Sequence, residues 1–443
     1  MNPTSDVPNP TPSHVRVVQL DVLRGVAILL VLFRHMPLSA NLAGPLRPAA
    51  RFLWHLGWTG VDLFFVLSGF LIGGLLFKEI KTTDRLDVKR FLIRRGLKIW
   101  PAYFVFLAYV FVAQYTAFTP GRVIAPEFVR VFTHHPSQAM ASIWNAHGHS
   151  LRNALYDIGP NLIHVQNYAH HSARGITWSL AVEEHFYLVL PLFLLLLVRR
   201  RTPGAAMPAV PIAAAAVIVA CTALRFLVNW NRPFDEVANV YPTHLRIDGL
   251  FLGVLLAYLF HLQPQTLARL TRRPGWLLAI GLALVLPMGI FDLTDYRFVW
   301  TIGYTMLYLG YGCILLACVF SPTGKPLGNL LASRPAALLA WVGVYSYSIY
   351  LWQFDLGHDP IAAWFNAGRL PQHHVSLWWL AVTLTFVTLS VLAGAALARL
   401  VEFPTLRIRD RLFPARADAI TPTPTPVPTE PSPEPSLVAG AAR

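Results

Sequence analysis

Four ionisable residues fall inside an apolar run long enough to cross a membrane. The run, LDVLRGVAILLVLFRHM over residues 20–36, carries Asp21, Arg24, Arg34 and His35. Ionisable groups are costly at membrane depth, so they mark a pathway or a reaction site. Arg24 and His35 are eleven residues apart. At about 100° per residue this is three turns plus roughly 20°, which puts both on one face about 16 Å apart along the axis. A fixed cation near one surface is thereby paired with a titratable imidazole towards the other.

Further polar groups appear in other apolar runs. GWTGVDLFFVLSGFLIGGLLF, residues 57–77, holds Asp62 and Ser68 among five glycines. The glycines suit close helix approach. Asp62 needs a partner at that depth, and His35 or an arginine is the natural one. ITWSLAVEEHFYLVLPLF, residues 176–193, holds Trp178, Ser179, Glu183 and Glu184; THLRIDGLFLG holds Arg246 and Asp248; YSYSIYLWQFDLG holds Gln353 and Asp355. With His35, five runs bring polar groups to one expected level in the outer third of the membrane, as a polar cavity would require. Structural ion pairs such as Arg246–Asp248 or Asp21–Arg24 are the competing account. At the other end, KRFLIRRGLKIWPAYF places Arg94, Arg95 and Lys98 on a shared helical face at the depth of Arg24. Together these four form a cationic mouth suited to a phosphorylated ligand.

The elements that must position these groups are membrane helices. Of 443 residues, 55% are hydrophobic and only 13% charged, against about 25% charged in a soluble chain; the mean hydropathy is +0.49. The apolar runs are continuous, which excludes the alternation of a transmembrane β-barrel. The expected fold is an all-α polytopic membrane protein with about ten spans, near residues 18–36, 57–77, 99–116, 176–198, 210–229, 243–261, 275–291, 300–320, 337–356 and 375–398. With the N-terminus inside, 23 of the 36 basic residues fall in inner segments, as positive-inside topology demands. Both termini are therefore expected in the cytoplasm. The net charge of +14 reflects topology, and no nucleic-acid partner is expected.

Residues 1–16 form a polar, Pro-rich tail with no cleavable signal pattern, residues 17–409 the membrane domain, and residues 410–443 a Pro/Thr-rich tail expected to be disordered. The outer segment of about 119–175 is too long for a simple connector and holds His134, His135, His147, His149, His164, His170 and His171. His-rich tracts can bind metal, but no cysteine or helically spaced carboxylate accompanies these. The expectation is a folded cap over a substrate, with no metal site. Cys221, Cys313 and Cys318 all lie in spans without disulfide or zinc spacing.

The segments LDVLRGVAILLVLFRH, GWTGVDLFFVLSGFLIGG, FLIRRGLKIWPAYF, ITWSLAVEEHFYLVLP, LRIDGLFLG, YSYSIYLWQ and VEFPTLRIR, in this order from about residue 17 to 409, resemble the acyltransferase-3 family of integral membrane acyltransferases. The resemblance implies a ten-helix O-acyltransferase of a bacterial inner membrane. It would take acyl groups, often acetyl, from cytosolic acyl-CoA as a donor substrate, with no permanently bound cofactor. The acceptor would be a hydroxyl of a carbohydrate or glycolipid. His35 and Arg24 match the family's first-span histidine and basic residue. Arg94, Arg95 and Lys98 match its inner basic group, where arginine is more usual than Lys98. Glu183 matches the acid of the WSLxxE element. Gln353 stands where histidine is frequent, and it cannot act as a base. The expected site thus has Arg24, Arg94, Arg95 and Lys98 binding the donor phosphates and His35 as general base. Glu183 or Asp62 would orient the imidazole. Ser68, Trp178, Ser179, Glu184, Arg246, Asp248 and Gln353 would line the substrate cavity, with Trp178 or Ser179 as the candidate oxyanion stabiliser. An acyl-imidazole on His35 is the rival chemistry. A proton-coupled transporter using the same buried charges is the alternative function, although no internal repeat of the kind many transporters show is visible; a non-catalytic sensor or scaffold using the Pro-rich tail is the third.

Overall fold

A computed structural model describes residues 18–37, 40–116, 151–200, 202, 204–230, 233–367 and 375–414. Among them there are helices and connecting turns and no strand. The chain opens with α1 (Val18–Arg34), an amphipathic α2 (Arg47–Gly57), α3 (Gly60–Thr83) and α4 (Val88–Thr116). α5 (Leu151–Leu162) precedes α6 (Trp178–Arg200), α7 (Ala209–Asn229) and α8 (Asp248–Leu262). Then come α9 (Pro274–Val285), α10 (Tyr304–Val319), α11 (Arg334–Val344), α12 (Ser346–Trp352), α13 (Val375–Leu397) and α14 (Phe403–Leu412).

Among the described residues, six helical segments are long and apolar enough to cross a membrane, or seven if α8 and the following Pro264–Leu270, bent by 114°, make one span. The ten expected spans are thus not ten uninterrupted helices. The ninth is broken into α11, α12 and a π-turn over Gln353–His358. Interrupted backbone at membrane depth is tolerated where it is buried in protein or lines a cavity. Lipid-facing surface is plain on α6, where Leu188, Leu192 and Leu196 recur every fourth residue and are each more than half exposed. Such an exposed apolar stripe suits contact with hydrocarbon. The final helix runs to Leu412, so the boundary expected at residue 409 falls inside it. Residues 1–17 and 415–443, which hold the Pro-rich stretches, lie outside the described residues.

Two large apolar clusters, and a small one of Val22, Ala336 and Ala340, build the interior. One joins α3, α6, α8 and α10; the other joins α4, α12 and α13. α1 belongs to both: Leu20, Leu23 and Ala27 pack into the first, Ile28, Val31 and Leu32 into the second. A helix wedged between two bodies buries most of its circumference. Its polar groups therefore face the seam between them.

Glycines set the closest approaches. A side chain on Gly69 of α3 would meet the carbonyl of Leu250, and one on Gly253 of α8 the carbonyl of Val66. The backbones of α3 and α8 touch there, as small residues allow. Gly69→Leu is expected to cost about 1–3 kcal/mol through overpacking, seen as a lower unfolding temperature in detergent. An unchanged temperature would show that these backbones are not in contact.

Candidate active site

Three cavities follow one another along the seam. The first, of about 420 Å³, is lined by His35, Arg34, Trp58, Trp178, Tyr241, Arg246, Tyr350 and Phe354, among others. The second, of about 80 Å³, is a waist lined by Arg24, Ser68, Ser179, Glu183, Tyr347 and Tyr350. The third, of about 380 Å³, is lined by Arg24, Ser68, Lys78, Arg95, Lys98 and His261. Val61 and Tyr350 border both the first and second cavities, and Arg24 and Ser68 both the second and third. The helical phase of α1 explains this spacing. Three turns separate Arg24 from His35, so one helix face reaches from the basic end to the imidazole.

At the far end, His35 lies in the turn that terminates α1. Its Nδ1 is 3.3 Å from Oε1 of Gln353, and its ring centroid is 4.6 Å from that of Phe354. Neither expected carboxylate orients the ring. Asp62 instead accepts from Arg246 Nη2 at 2.5 Å, with both side chains almost wholly buried. Glu183 stands at the waist, where Oε1 accepts from Ser68 Oγ at 2.9 Å and Oε2 from Tyr187 O–H at 2.5 Å. Tyr187 is four residues on, one turn above Glu183 on the same face, so this second bond is local to α6.

The Arg246–Asp248 pair does not form. Residues two apart on a helix point away from each other. Arg246 turns to Asp62 and to the Tyr308 hydroxyl at 2.9 Å. Asp248 accepts from Arg225 at 2.8 Å, both side chains being 0% exposed. The Asp21–Arg24 pair is present at 3.9 Å. Arg225 is a site that motif reasoning passed over, although a single arginine in the apolar run of α7 was signal enough. Arg174 is another; it binds Asp355 through Nη2 and Nε. The polar groups of the five helices are therefore divided between the first cavity, the waist and a separate buried Arg225–Asp248 pair.

The remaining candidates divide. Trp178 lines the first cavity and stacks on Tyr241 at 5.1 Å. Ser179 shares a hydrogen bond of 2.8 Å with the Tyr350 hydroxyl. The latter donates to Ile176 O at 2.6 Å, so the Ser179 proton is committed to Tyr350 and is not left for an oxyanion. Glu184, one residue or 100° round from Glu183, accepts from Trp100 Nε1 at 3.2 Å and lines none of the three cavities. Asp248 lines none of them either.

The basic end corrects one donor-binding expectation. Arg95 and Lys98 line the third cavity, and Arg95 stacks on Tyr187 at 4.9 Å. Arg94 points elsewhere: it donates to Asp410 at 3.1 Å and to the Phe413 carbonyl, tying α14 to α4. Adjacent helical residues diverge by about 100°, so Arg94 and Arg95 do not share a face. Lys78 and His261 take its place in the wall.

The segment expected to form a cap is described from Leu151 onwards; His134, His135, His147 and His149 lie outside the described residues. α5 is joined to the bundle by buried Asn161, which donates to Thr177 Oγ1 at 2.9 Å, and by Gln166, which donates to Thr177 O at 2.9 Å. His164 stacks on Tyr103 at 4.9 Å, and burial pushes its imidazole down to about 4. His171 stacks on Tyr156 at 3.8 Å. Among the described residues, no group of three or more His, Cys, Asp or Glu side chains is placed to hold a metal.

Comparison with known proteins adds a family. The model described as an acyltransferase domain, Acyl_transf_3, matches residues 17–396. The chain is 29% identical over 353 residues to the putative peptidoglycan O-acetyltransferase YrhL of Bacillus subtilis, covering 78% of this chain and 49% of that protein. It is 25% identical over 347 residues to the peptidoglycan O-acetyltransferase OatA of Listeria monocytogenes, covering 78% and 50%. It is 25% identical over 406 residues to an O-acetyltransferase OatA of Staphylococcus aureus, covering 90% and 58%. The chain thus spans about half the length of the curated relatives it matches. No solved structure matches it.

Proposed function

The chain belongs to the acyltransferase-3 family, and from that premise we propose that it is a membrane O-acyltransferase carrying an acetyl group across the bilayer to a glycan hydroxyl. The observation that carries this reading is the series of three adjoining cavities from the cationic end to His35. In this reading an acyl-CoA donor enters from the cytoplasmic side of a bacterial cell membrane. Its phosphates meet Arg95, Lys98, Arg24 and Lys78, a cationic group suited to polyphosphate. An extended pantetheine arm of about 15–20 Å, by analogy with backbone reach, passes the waist and brings the thioester near His35. The relatives' names point to peptidoglycan as the acceptor class, and the aromatic walls of the first cavity suit a sugar ring.

The chemistry needs one base. His35 takes the proton of the acceptor hydroxyl as its oxygen forms a bond to the thioester carbonyl carbon. The carbon–sulfur bond then breaks, and the imidazolium returns the proton to the leaving thiolate. The products are an O-acyl glycan and the free thiol. Arg246, held by Asp62 and Tyr308, offers fixed positive charge beside this reaction.

The test uses the full chain in nanodiscs with radiolabelled acetyl-CoA and membrane glycans. Label entering the glycan with release of free CoA is the expected result. Proton-coupled movement of a solute without CoA consumption would overturn the reading in favour of a transporter. A paired substitution sharpens it. Arg95→Ala is expected to raise the donor KM roughly tenfold, the worth of a charge-assisted contact. Arg94→Ala is expected to leave the donor KM near wild type and to loosen α14, measurable as faster proteolysis of the C-terminal helix. Equal KM effects from both would place Arg94 back at the donor.

A further inference from the structure

The π-turn Gln353–His358 carries an amide whose orientation is dictated by what surrounds it. Gln353 is 0% exposed. Its Nε2 is 3.4 Å from the carbonyl oxygen of Tyr350. A carbonyl only accepts, so the amide nitrogen must face it. The amide oxygen then faces Nδ1 of His35 at 3.3 Å. That oxygen also only accepts, so Nδ1 must carry the proton. A neutral imidazole has one N–H, which leaves the lone pair on Nε2. The anchor is rigid in turn. Tyr350 is held through its hydroxyl by Ile176 O and Ser179, and Phe354 packs against the His35 ring. A π-turn widens the helix locally and recurs at functional sites; here the one turn brings both Gln353 and Phe354 to the imidazole.

We propose that Gln353 is a positioning residue that holds neutral His35 as the Nδ1–H tautomer, so that Nε2 is the base. This rests on the reading of His35 as general base. It also gives a role to the residue that departs from the family pattern. A histidine at this position could donate or accept, and would not by itself impose a tautomer. An amide clamped by a backbone carbonyl does impose one.

The test is a ¹⁵N NMR spectrum of the full chain in nanodiscs, labelled at histidine, with His35→Ala used to assign the His35 signals by difference. At alkaline pH the expected signature is a protonated Nδ1 and an unprotonated Nε2 on His35. Gln353→Met, which keeps the volume and removes both polar atoms, is expected to abolish that preference. It should lower kcat roughly ten- to a hundredfold, below the full worth of a general base, with both KM values unchanged. Gln353→Glu keeps an acceptor for Nδ1–H and is expected to retain the signature, which covers the case of a poorly folded methionine variant. A wild-type Nε2–H signature, or a signature unmoved by Gln353→Met, would overturn the proposal. A moved signature with unchanged kcat would overturn the positioning role. Full activity in His35→Ala would instead sink the general-base reading and leave the tautomer assignment standing.

Discussion

Replacing His35 with alanine is expected to lower acetyl transfer by roughly 10²–10⁴-fold, the usual worth of a positioned general base, while acetyl-CoA binding persists. The separation follows from distance. His35 lines the first cavity, whereas Arg24, Arg95, Lys98 and Lys78 line the cavity at the opposite end, beyond the waist. A loss of the imidazole leaves the cationic cavity intact. The comparison needs two readouts on one preparation, namely retention of labelled acetyl-CoA and release of free CoA with glycan present. Equal rates in wild type and variant would remove His35 from the chemistry. Loss of donor binding together with rate would show that the two ends are not separate sites.

The second large effect concerns folding. Arg225→Met is expected to destabilise the protein by about 3–5 kcal/mol, because it strands a buried carboxylate. Arg225 donates to Asp248, to Thr305 Oγ1 at 2.7 Å and to the carbonyls of Leu245 and Thr301 at 2.6 and 2.9 Å. The guanidinium thereby closes the polar groups where α7, α8, α10 and the Thr243–Arg246 turn meet. Among the described residues, Asp248 forms an ion pair with Arg225 alone, at 2.8 Å. The double variant Arg225→Met/Asp248→Leu is expected to recover much of the loss, since replacing both members of a buried pair is often near neutral. Unfolding temperature in detergent reads both. A single variant as stable as wild type would show that the pair is not structural.

Much of the site was legible in the sequence, and particular residues show where legibility ended. Helical phase within a single element is arithmetic, and it suffices to relate Arg24 to His35, which line adjoining parts of the seam. Gly69 needed only its lack of a side chain to suggest close contact; its partner Gly253 on α8 came from the structure. The alternative of an Arg246–Asp248 pair was closed by the same arithmetic, since an i, i+2 pair diverges. Arg94 and Arg95 likewise diverge by about 100° and face different partners. Arg225 and Arg174 were missed because neither sits in a recognisable motif; each was visible only as an arginine needing a carboxylate.

The sequence by itself determined the class of fold, the family, and which helices carry ionisable groups at membrane depth. Each of those depends on composition or on periodicity within one element. Only the tertiary structure decided which charges meet: Asp62 with Arg246, Asp248 with Arg225, Glu183 with Ser68, and His35 with Gln353. Those pairings depend on how far each helix is rotated about its own axis and slid along its neighbours. Such rotations and shifts are set by packing between helices, such as the glycine contacts of α3 with α8 and the wedging of α1 between two apolar clusters. No single helix encodes that relation, because interdigitation is a property of two surfaces together.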